Sequence, residues 1–137
     1  MTQRNLVDSS AWVEYFVDGP NAERFAPAVE DSAALIVPAL ALYEVFKWGL
    51  RERGERAALR LIGVMHQGWI VELGADLALA AVRLASEYGL AMADSVMLAT
   101  ARAEGATLWT QDADFAKVPG VRYLAKRHTV KTPNKRT

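Results

Sequence analysis

The chain has 137 residues, no cysteine and a formal net charge of zero at pH 7. Its length suits one domain, and its 52% hydrophobic content is typical of a folded globular protein rather than a disordered one. The lack of cysteine excludes disulfides and thiolate ligands, so a bound metal must be held by oxygen or imidazole. The N-terminus lacks the apolar core of a signal peptide and no apolar run is long enough to span a membrane. The sequence therefore predicts a cytoplasmic protein without a membrane partner.

Charge is distributed unevenly along the chain. Residues 126–137 contain five basic residues and no acidic ones, whereas residues 1–125 contain eleven basic residues and sixteen acidic ones. The sequence therefore predicts an acidic domain over residues 1–125, followed by a basic and flexible tail over residues 126–137. A tail of this kind is usually a solvated end, and it is also able to contact a polyanion.

Apolar runs and turn signals predict five strands separated by helices. The first predicted strand ends at Val7, and the other four cover residues 34–37, 69–73, 107–109 and 121–124. The predicted helices cover residues 11–17, 21–30, 39–50, 55–66, 74–88 and 92–104, with Asn21 as a cap and with Leu59 and Val82 on buried sides. Short strands that alternate with helices indicate right-handed crossovers and a parallel sheet covered on both faces. The predicted fold class is therefore α/β, a three-layer α/β/α domain with a central, mainly parallel sheet of about five strands.

Four acidic residues fall where this architecture gathers side chains. Asp8 and Asp112 each follow a predicted strand, so both lie at the carboxyl edge of the sheet, where open α/β folds bind ligands. Glu44 and Asp94 lie in the first turns of helices that begin at the same edge, where the helix dipole favours a carboxylate. Each acid also has a simpler explanation. Asp8 and Asp112 are able to cap helices, Asp94 to offset a dipole, and Glu44 to pair with Lys47.

Carboxylates gathered without a compensating cation repel one another and raise each other's pKa. A divalent cation removes this conflict, and oxygen ligands without cysteine or a well-placed histidine suit Mg²⁺ or Mn²⁺. Two such ions, about 4 Å apart, can activate water and stabilise the leaving oxygen in phosphodiester cleavage. Ser9, Ser10 and Thr110 lie beside the strand-end acids, and their hydroxyls are able to orient the carboxylates. The pattern therefore favours a metal-dependent site for phosphate chemistry.

Four segments of the chain resemble PIN-domain proteins in order and spacing, and among them the single-domain VapC-type toxins of toxin–antitoxin pairs. The segments are L-V-D-S-S, Y-E-V on the third helix, A-D-S-V-M-L-A-T-A before a glycine, and L-W-T-Q-D-A-D-F. The resemblance covers residues 4–125. It implies a PIN-like fold and hydrolysis of RNA with one or two Mg²⁺ or Mn²⁺ ions.

The resemblance also implies a site and partners. The implied catalytic and metal-binding acids are Asp8, Glu44, Asp94 and Asp112. Ser9 and Thr110 match positions where the family often has a hydroxyl, and Asp114 matches the acidic end of the T-x-D-x-D-F pattern with a supporting role. The implied partners are an RNA substrate, a second copy of the chain and a small antitoxin whose C-terminal segment lies across the active-site groove, with a higher hetero-oligomer as a further form. The basic tail is where this chain departs from the family.

Two other functions remain open at this point. A PIN-like domain that binds RNA or protein without cutting would share the fold, although a phosphate-binding groove without metal would more naturally use Arg and Lys than acids. A phosphatase or phosphotransfer domain would also place an Asp after the first strand. A haloacid-dehalogenase-like phosphatase normally has a second Asp two residues further on, where this chain has Ser10.

Overall fold

Five parallel strands form the central sheet of the structure, a computed structural model that describes residues 3–128. The strands are β1 (Arg4–Val7), β2 (Leu35–Pro38), β3 (Trp69–Val71), β4 (Ala106–Thr110) and β5 (Val121–Tyr123). Their order across the sheet is β3-β2-β1-β4-β5, and every pairing between neighbours is parallel. The predicted parallel sheet of five strands is therefore confirmed.

Helices cover this sheet on both faces. Within residues 3–128 they are α1 (Ser9–Phe16), α2 (Ala22–Glu30), α3 (Ala39–Arg53), α4 (Glu55–Met65), α5 (Ala75–Tyr88) and α6 (Met92–Ala103), together with short 3₁₀ turns at Ser32–Ala34 and Ala113–Phe115. Helices α2 and α6 pack against β1 and β2, α5 packs on α6, and α4 packs on α3. In this part of the chain no helix is long and apolar enough to cross a lipid bilayer.

Burial along the strands shows why the domain has three layers. Leu6 and Val7 are neighbours in β1 and are both fully buried, and every residue of β2 is buried. Because successive strand residues point to opposite faces, this pattern requires cover on both faces of the sheet. Trp12 and Phe25, from α1 and α2, are among the largest fully buried side chains. The predicted three-layer α/β/α architecture is confirmed.

The order of the strands creates a crevice beside β1. From β1 the chain continues to β2 and β3 on one side, whereas β4 and β5 lie on the other side. A reversal of this kind leaves a crevice outside the carboxyl ends of the two strands that flank it, which is where open α/β sheets bind ligands. Asp8 follows β1 directly and Gln111 follows β4 directly. The fold therefore places both strand-end segments at one crevice.

Two local predictions are wrong. Leu59 and Val82, expected on buried sides, are 53% and 65% exposed. Helix α5 carries apolar residues around most of its circumference, so periodicity did not single out the face that packs on α6. Asn21 occupies the N-cap position of α2, as predicted, but its side chain makes no capping hydrogen bond and is fully buried.

Two glycines form a matched pair for testing the packing of α3 against α4. A β-carbon added at Gly49 would lie 2.9 Å from the Ala58 β-carbon, whereas one added at Gly63 would meet nothing within 4 Å. We expect Gly49→Ala to lower the free energy of unfolding by about 1 kcal/mol, because overpacking outweighs the gain in helix propensity. Gly63→Ala should raise it by up to about 1 kcal/mol. Urea unfolding followed by circular dichroism measures both, and a stabilised Gly49→Ala would contradict this packing.

Candidate active site

A cleft of about 370 Å³ opens at the carboxyl ends of β1 and β4. It is lined mainly by polar and acidic side chains that come from distant parts of the sequence. The lining residues are Asp8, Ser9, Ser10, Val13, Glu44, Asp94, Met97, Gln111, Asp112 and Lys126. The fold therefore brings the four acids predicted from the sequence to a single cleft.

Asp8 is fixed at the floor of this cleft by three hydrogen bonds. Its Oδ1 accepts from Ser10 Oγ at 2.8 Å and from the Ala11 backbone nitrogen at 3.0 Å, and its Oδ2 accepts from Thr110 Oγ1 at 2.6 Å. The bond to Ala11 makes Asp8 the N-cap of α1, so the capping role and the place in the cleft coexist. Burial raises the pKa of Asp8 to about 6, because desolvation outweighs the hydrogen bonds that favour the charged form.

Asp94 lies in the first turn of α6 and faces two acids of the segment after β4. One carboxylate oxygen from each of Asp94, Asp112 and Asp114 lies within 4.8 Å of the other two. Burial, followed by the charges of Asp112 and Asp8, raises the pKa of Asp94 to about 7. The structure thus places Asp114, which had only a supporting role in the sequence analysis, within this acidic group.

Glu44 borders the cleft from α3, outside the group of three carboxylates. Its Oε1 accepts a hydrogen bond from Ser9 Oγ. Within residues 3–128 no ion pair joins Glu44 to Lys47, whose ammonium lies instead over the Tyr43 ring, 5.9 Å from the ring centre. The structure therefore does not support the simpler explanation of Glu44 as the partner of Lys47.

A buried pair of amides, Asn21 and Gln111, supports the cleft and is not apparent from the sequence. The Gln111 backbone nitrogen donates to Ser10 Oγ at 3.3 Å, and Gln111 Nε2 donates to Glu14 Oε1 at 3.4 Å. Asn21 Nδ2 donates to Gln111 Oε1 at 3.1 Å and to the Ala125 carbonyl oxygen at 3.0 Å. These partners of Asn21 lie 90 and 104 residues away in the chain. No local pattern could have marked the pair.

Lys126 reaches the cleft from the segment after β5. The sequence predicts this residue at the start of the basic tail, yet it lies beside the acids of the domain. Residues 129–137, most of the predicted tail, lie outside the described residues. The flexible tail and its boundary at residue 126 therefore stay predictions.

The acidic group suits a metal ion as its neutralising partner. Two of the carboxyls, Asp8 and Asp94, have raised pKa values because they are buried beside like charges, and in the described part of the chain neither forms an ion pair with a basic side chain. A ligand set made of carboxylate oxygens is typical of hard divalent cations. The residues present can therefore hold a metal ion.

Residues 6–121 match the family model for the PIN domain. The chain belongs to the PIN-domain family. Comparison of its sequence with curated proteins gives no match. The matched range includes every acid of the cleft, so the cleft lies within the PIN domain.

Solved structures resemble this PIN domain over most of its length. A toxin–antitoxin complex from Klebsiella pneumoniae matches with a TM-score of 0.74 and 25% identity, covering 85% of this chain and 94% of that one. VapC20 from Mycobacterium tuberculosis, a toxin that cleaves the sarcin–ricin loop, matches with a TM-score of 0.69 and 20% identity, over 85% and 96% of the chains. A protein of Pyrobaculum aerophilum matches with a TM-score of 0.63 and 26% identity, over 88% and 90%.

The raised pKa values predict that the metal-free domain loses stability as the pH rises. The Asp94 carboxyl loses its proton near pH 3.8 in the unfolded chain and near pH 7 in the folded one, so the folded state binds more protons between these values. The stabilisation is complete below pH 3.8 and is lost as the pH rises through about 7. We expect Asp94→Asn to flatten the fall in melting temperature between about pH 5 and about pH 8 in EDTA.

Asp31→Asn is the matched control for this measurement. Asp31 is exposed and lies before β2, at the opposite edge of the sheet from the cleft. This variant should keep the pH dependence of the unmodified protein. An Asp94→Asn variant with that same dependence would contradict the electrostatic description of the cleft.

Proposed function

We propose that this PIN domain is a metal-dependent endoribonuclease that cleaves RNA phosphodiester bonds and acts as the toxin of a type II toxin–antitoxin module. The observation that carries the proposal is the meeting of the Asp94, Asp112 and Asp114 carboxylates beside buried Asp8 in an open cleft. The expected ion is Mg²⁺ or Mn²⁺, held by these acids with Glu44 at the edge of the cleft.

The chain's own residues would fix the ligand oxygens before the substrate arrives. Ser10 and Thr110 hold the two oxygens of Asp8, and Ser9 orients Glu44. These hydrogen bonds limit rotation of the carboxylates, which keeps the donor atoms of a metal site in place. When bound, Mg²⁺ or Mn²⁺ would supply Lewis-acid stabilisation of the negative charge that develops on the phosphate.

The surroundings of Asp8 argue against a phosphotransfer enzyme. Such an enzyme would use the first-strand Asp as a nucleophile, which needs a free and accessible carboxylate oxygen. Asp8 is only 3% exposed, and both of its oxygens accept hydrogen bonds. Ser10, at the position where a haloacid-dehalogenase-like phosphatase normally has its second Asp, is one of the donors. These contacts suit a fixed ligand rather than an attacking group.

An antitoxin would have a docking groove next to the cleft. The groove has a volume of about 300 Å³ and lies between α3 and α4; its lining is apolar and consists of Leu42, Tyr43, Phe46, Leu59 and Ile62. Helix α3 also carries Glu44, so a segment in this groove would lie beside the active site. Exposed Lys47, Arg56 and Arg60 on the same helices favour a segment that combines apolar with acidic residues. Among the similar solved structures, the one from Klebsiella pneumoniae is a toxin–antitoxin complex.

A homodimer is supported by the outward face of α5. Leu79 and Val82 on this face are 68% and 65% exposed. Asp76 and Arg83 lie seven residues apart on the same helix, on either side of Leu79 and Ala80. If two copies of α5 pack antiparallel about that midpoint, each Asp76 faces the partner subunit's Arg83. Such a self-complementary arrangement is what a two-fold interface requires.

The nuclease assignment predicts metal-dependent cleavage of RNA by the purified protein. Fluorescently labelled RNA should be cut with Mg²⁺ or Mn²⁺ and left intact in EDTA. Asp8→Asn and Asp94→Asn should each slow cleavage by about 100-fold or more, because each removes a charged ligand of the metal. Asp31→Asn should cleave at the unmodified rate. Cleavage that persists in EDTA, or in both cleft variants, would refute the metal mechanism.

The toxin assignment predicts growth arrest when the protein is induced in cells. Asp8→Asn should restore growth at equal protein levels, because the loss of activity removes the toxic effect. Asp31→Asn should still arrest growth. If a small open reading frame lies beside the gene for this chain, co-expression of its product should also restore growth. Colony counts measure all four conditions. Arrest by Asp8→Asn as strong as by the unmodified protein would contradict toxicity through RNA cleavage.

A further inference from the structure

Lys126 occupies a distinctive place in the cleft. It lines the cleft together with the acids, and it also lines an adjoining cavity of about 330 Å³ whose walls include Ser10, Asp112 and Tyr123. The two cavities share Ser10, Gln111, Asp112 and Lys126. Lys126 therefore lies at the junction between the acidic cleft and a second cavity into which a bound chain could continue.

The backbone that leads to Lys126 is anchored to the domain. The Leu124 nitrogen donates to the Thr110 carbonyl oxygen at 2.8 Å, and the Ala125 carbonyl oxygen accepts from Asn21 Nδ2 at 3.0 Å. Asn21 is fully buried, and its Nδ2 donates to both Gln111 and Ala125, whereas its Oδ1 has no partner in the described part of the chain. This anchoring extends to the residue immediately before Lys126, so it limits where Lys126 can lie.

The charge of Lys126 stands out against the rest of the lining. The lining residues of the cleft include four carboxylates and one cation, Lys126. Among residues 3–128 no carboxylate forms an ion pair with it, and its side chain is exposed. An acidic cleft repels a polyanion, and a lysine ammonium is a common phosphate contact.

We propose that Lys126 binds a backbone phosphate of the RNA beside the cleavage site, and that Asn21 positions it through Ala125. This role rests on the proposed nuclease function, because it concerns the substrate of the same cleft. The contact is with a phosphate rather than a base, so it contributes affinity and register without sequence preference. Lys126 thus belongs to the substrate-binding surface rather than to a solvated tail.

The test measures RNA binding separately from cleavage. Fluorescence anisotropy with labelled single-stranded RNA is recorded in the Asp94→Asn background, so that the RNA stays intact. Lys126→Gln should weaken binding by about 3- to 10-fold near 0.1 M salt and reduce the slope of log K against log salt by about 0.7, the value for one phosphate contact. Lys126→Arg should restore both. Lys117→Gln, an exposed lysine outside both cavities, is the control and should change neither.

Kinetics and the anchoring residue complete the test. In the otherwise unmodified enzyme with Mg²⁺, Lys126→Gln should raise KM by a larger factor than it lowers kcat. Asn21→Ala, measured where circular dichroism shows it folded, should reproduce the loss of binding. If the unmodified protein cuts RNA but Lys126→Gln binds it with unchanged affinity and salt slope, the Lys126 role is overturned while the nuclease function stands. If the protein neither binds nor cuts RNA, both proposals fail.

Discussion

The burial of carboxylates beside one another is the constraint on which this structure depends. The pKa of Asp8 rises from 3.8 to about 6, which corresponds to about 3 kcal/mol of stability lost at neutral pH. That cost is large against the roughly 5–15 kcal/mol that stabilises a typical domain. The pKa of Asp94 is raised too, first by burial and then by the charges of Asp112 and Asp8. A cation between the oxygens would offset this cost, so the cluster has the chemistry of a metal site.

The hydrogen bonds around the cleft show how the fold tolerates this charge. Ser10 donates to Asp8 and accepts from the backbone of Gln111, which joins the end of β1 to the end of β4. Thr110 donates to the second oxygen of Asp8 and accepts from the Asp112 nitrogen at 2.9 Å. These hydroxyls lower the pKa of Asp8, and they also keep its carboxylate from turning away. The same contacts therefore reduce the cost of the cluster and define its geometry.

The acids could be predicted because they stand at recognisable points of a regular fold. Asp8 follows the buried pair Leu6 and Val7, and Asp94 lies in the first turn of an alanine-rich helix, so local patterns were enough to place both at one edge. Asn21 occupies the predicted cap position, but the partners of its side chain are far away in the chain, so its link to Gln111 could not be predicted. Val82 was misread because α5 is apolar on two sides, and only one of them packs on α6.

The sequence by itself determined the strands and helices, the parallel sheet and the edge at which the acids would lie. Hydrophobic periodicity, turn residues and β-branched runs each involve a few neighbouring residues, so they can be recognised before the fold is known. Only the tertiary structure decided that β1 and β4 are neighbours, that Asp114 joins Asp94 and Asp112, and that Lys126 lies in the cleft. These outcomes depend on distances of a few ångströms between residues far apart in the chain, and no local pattern encodes such distances.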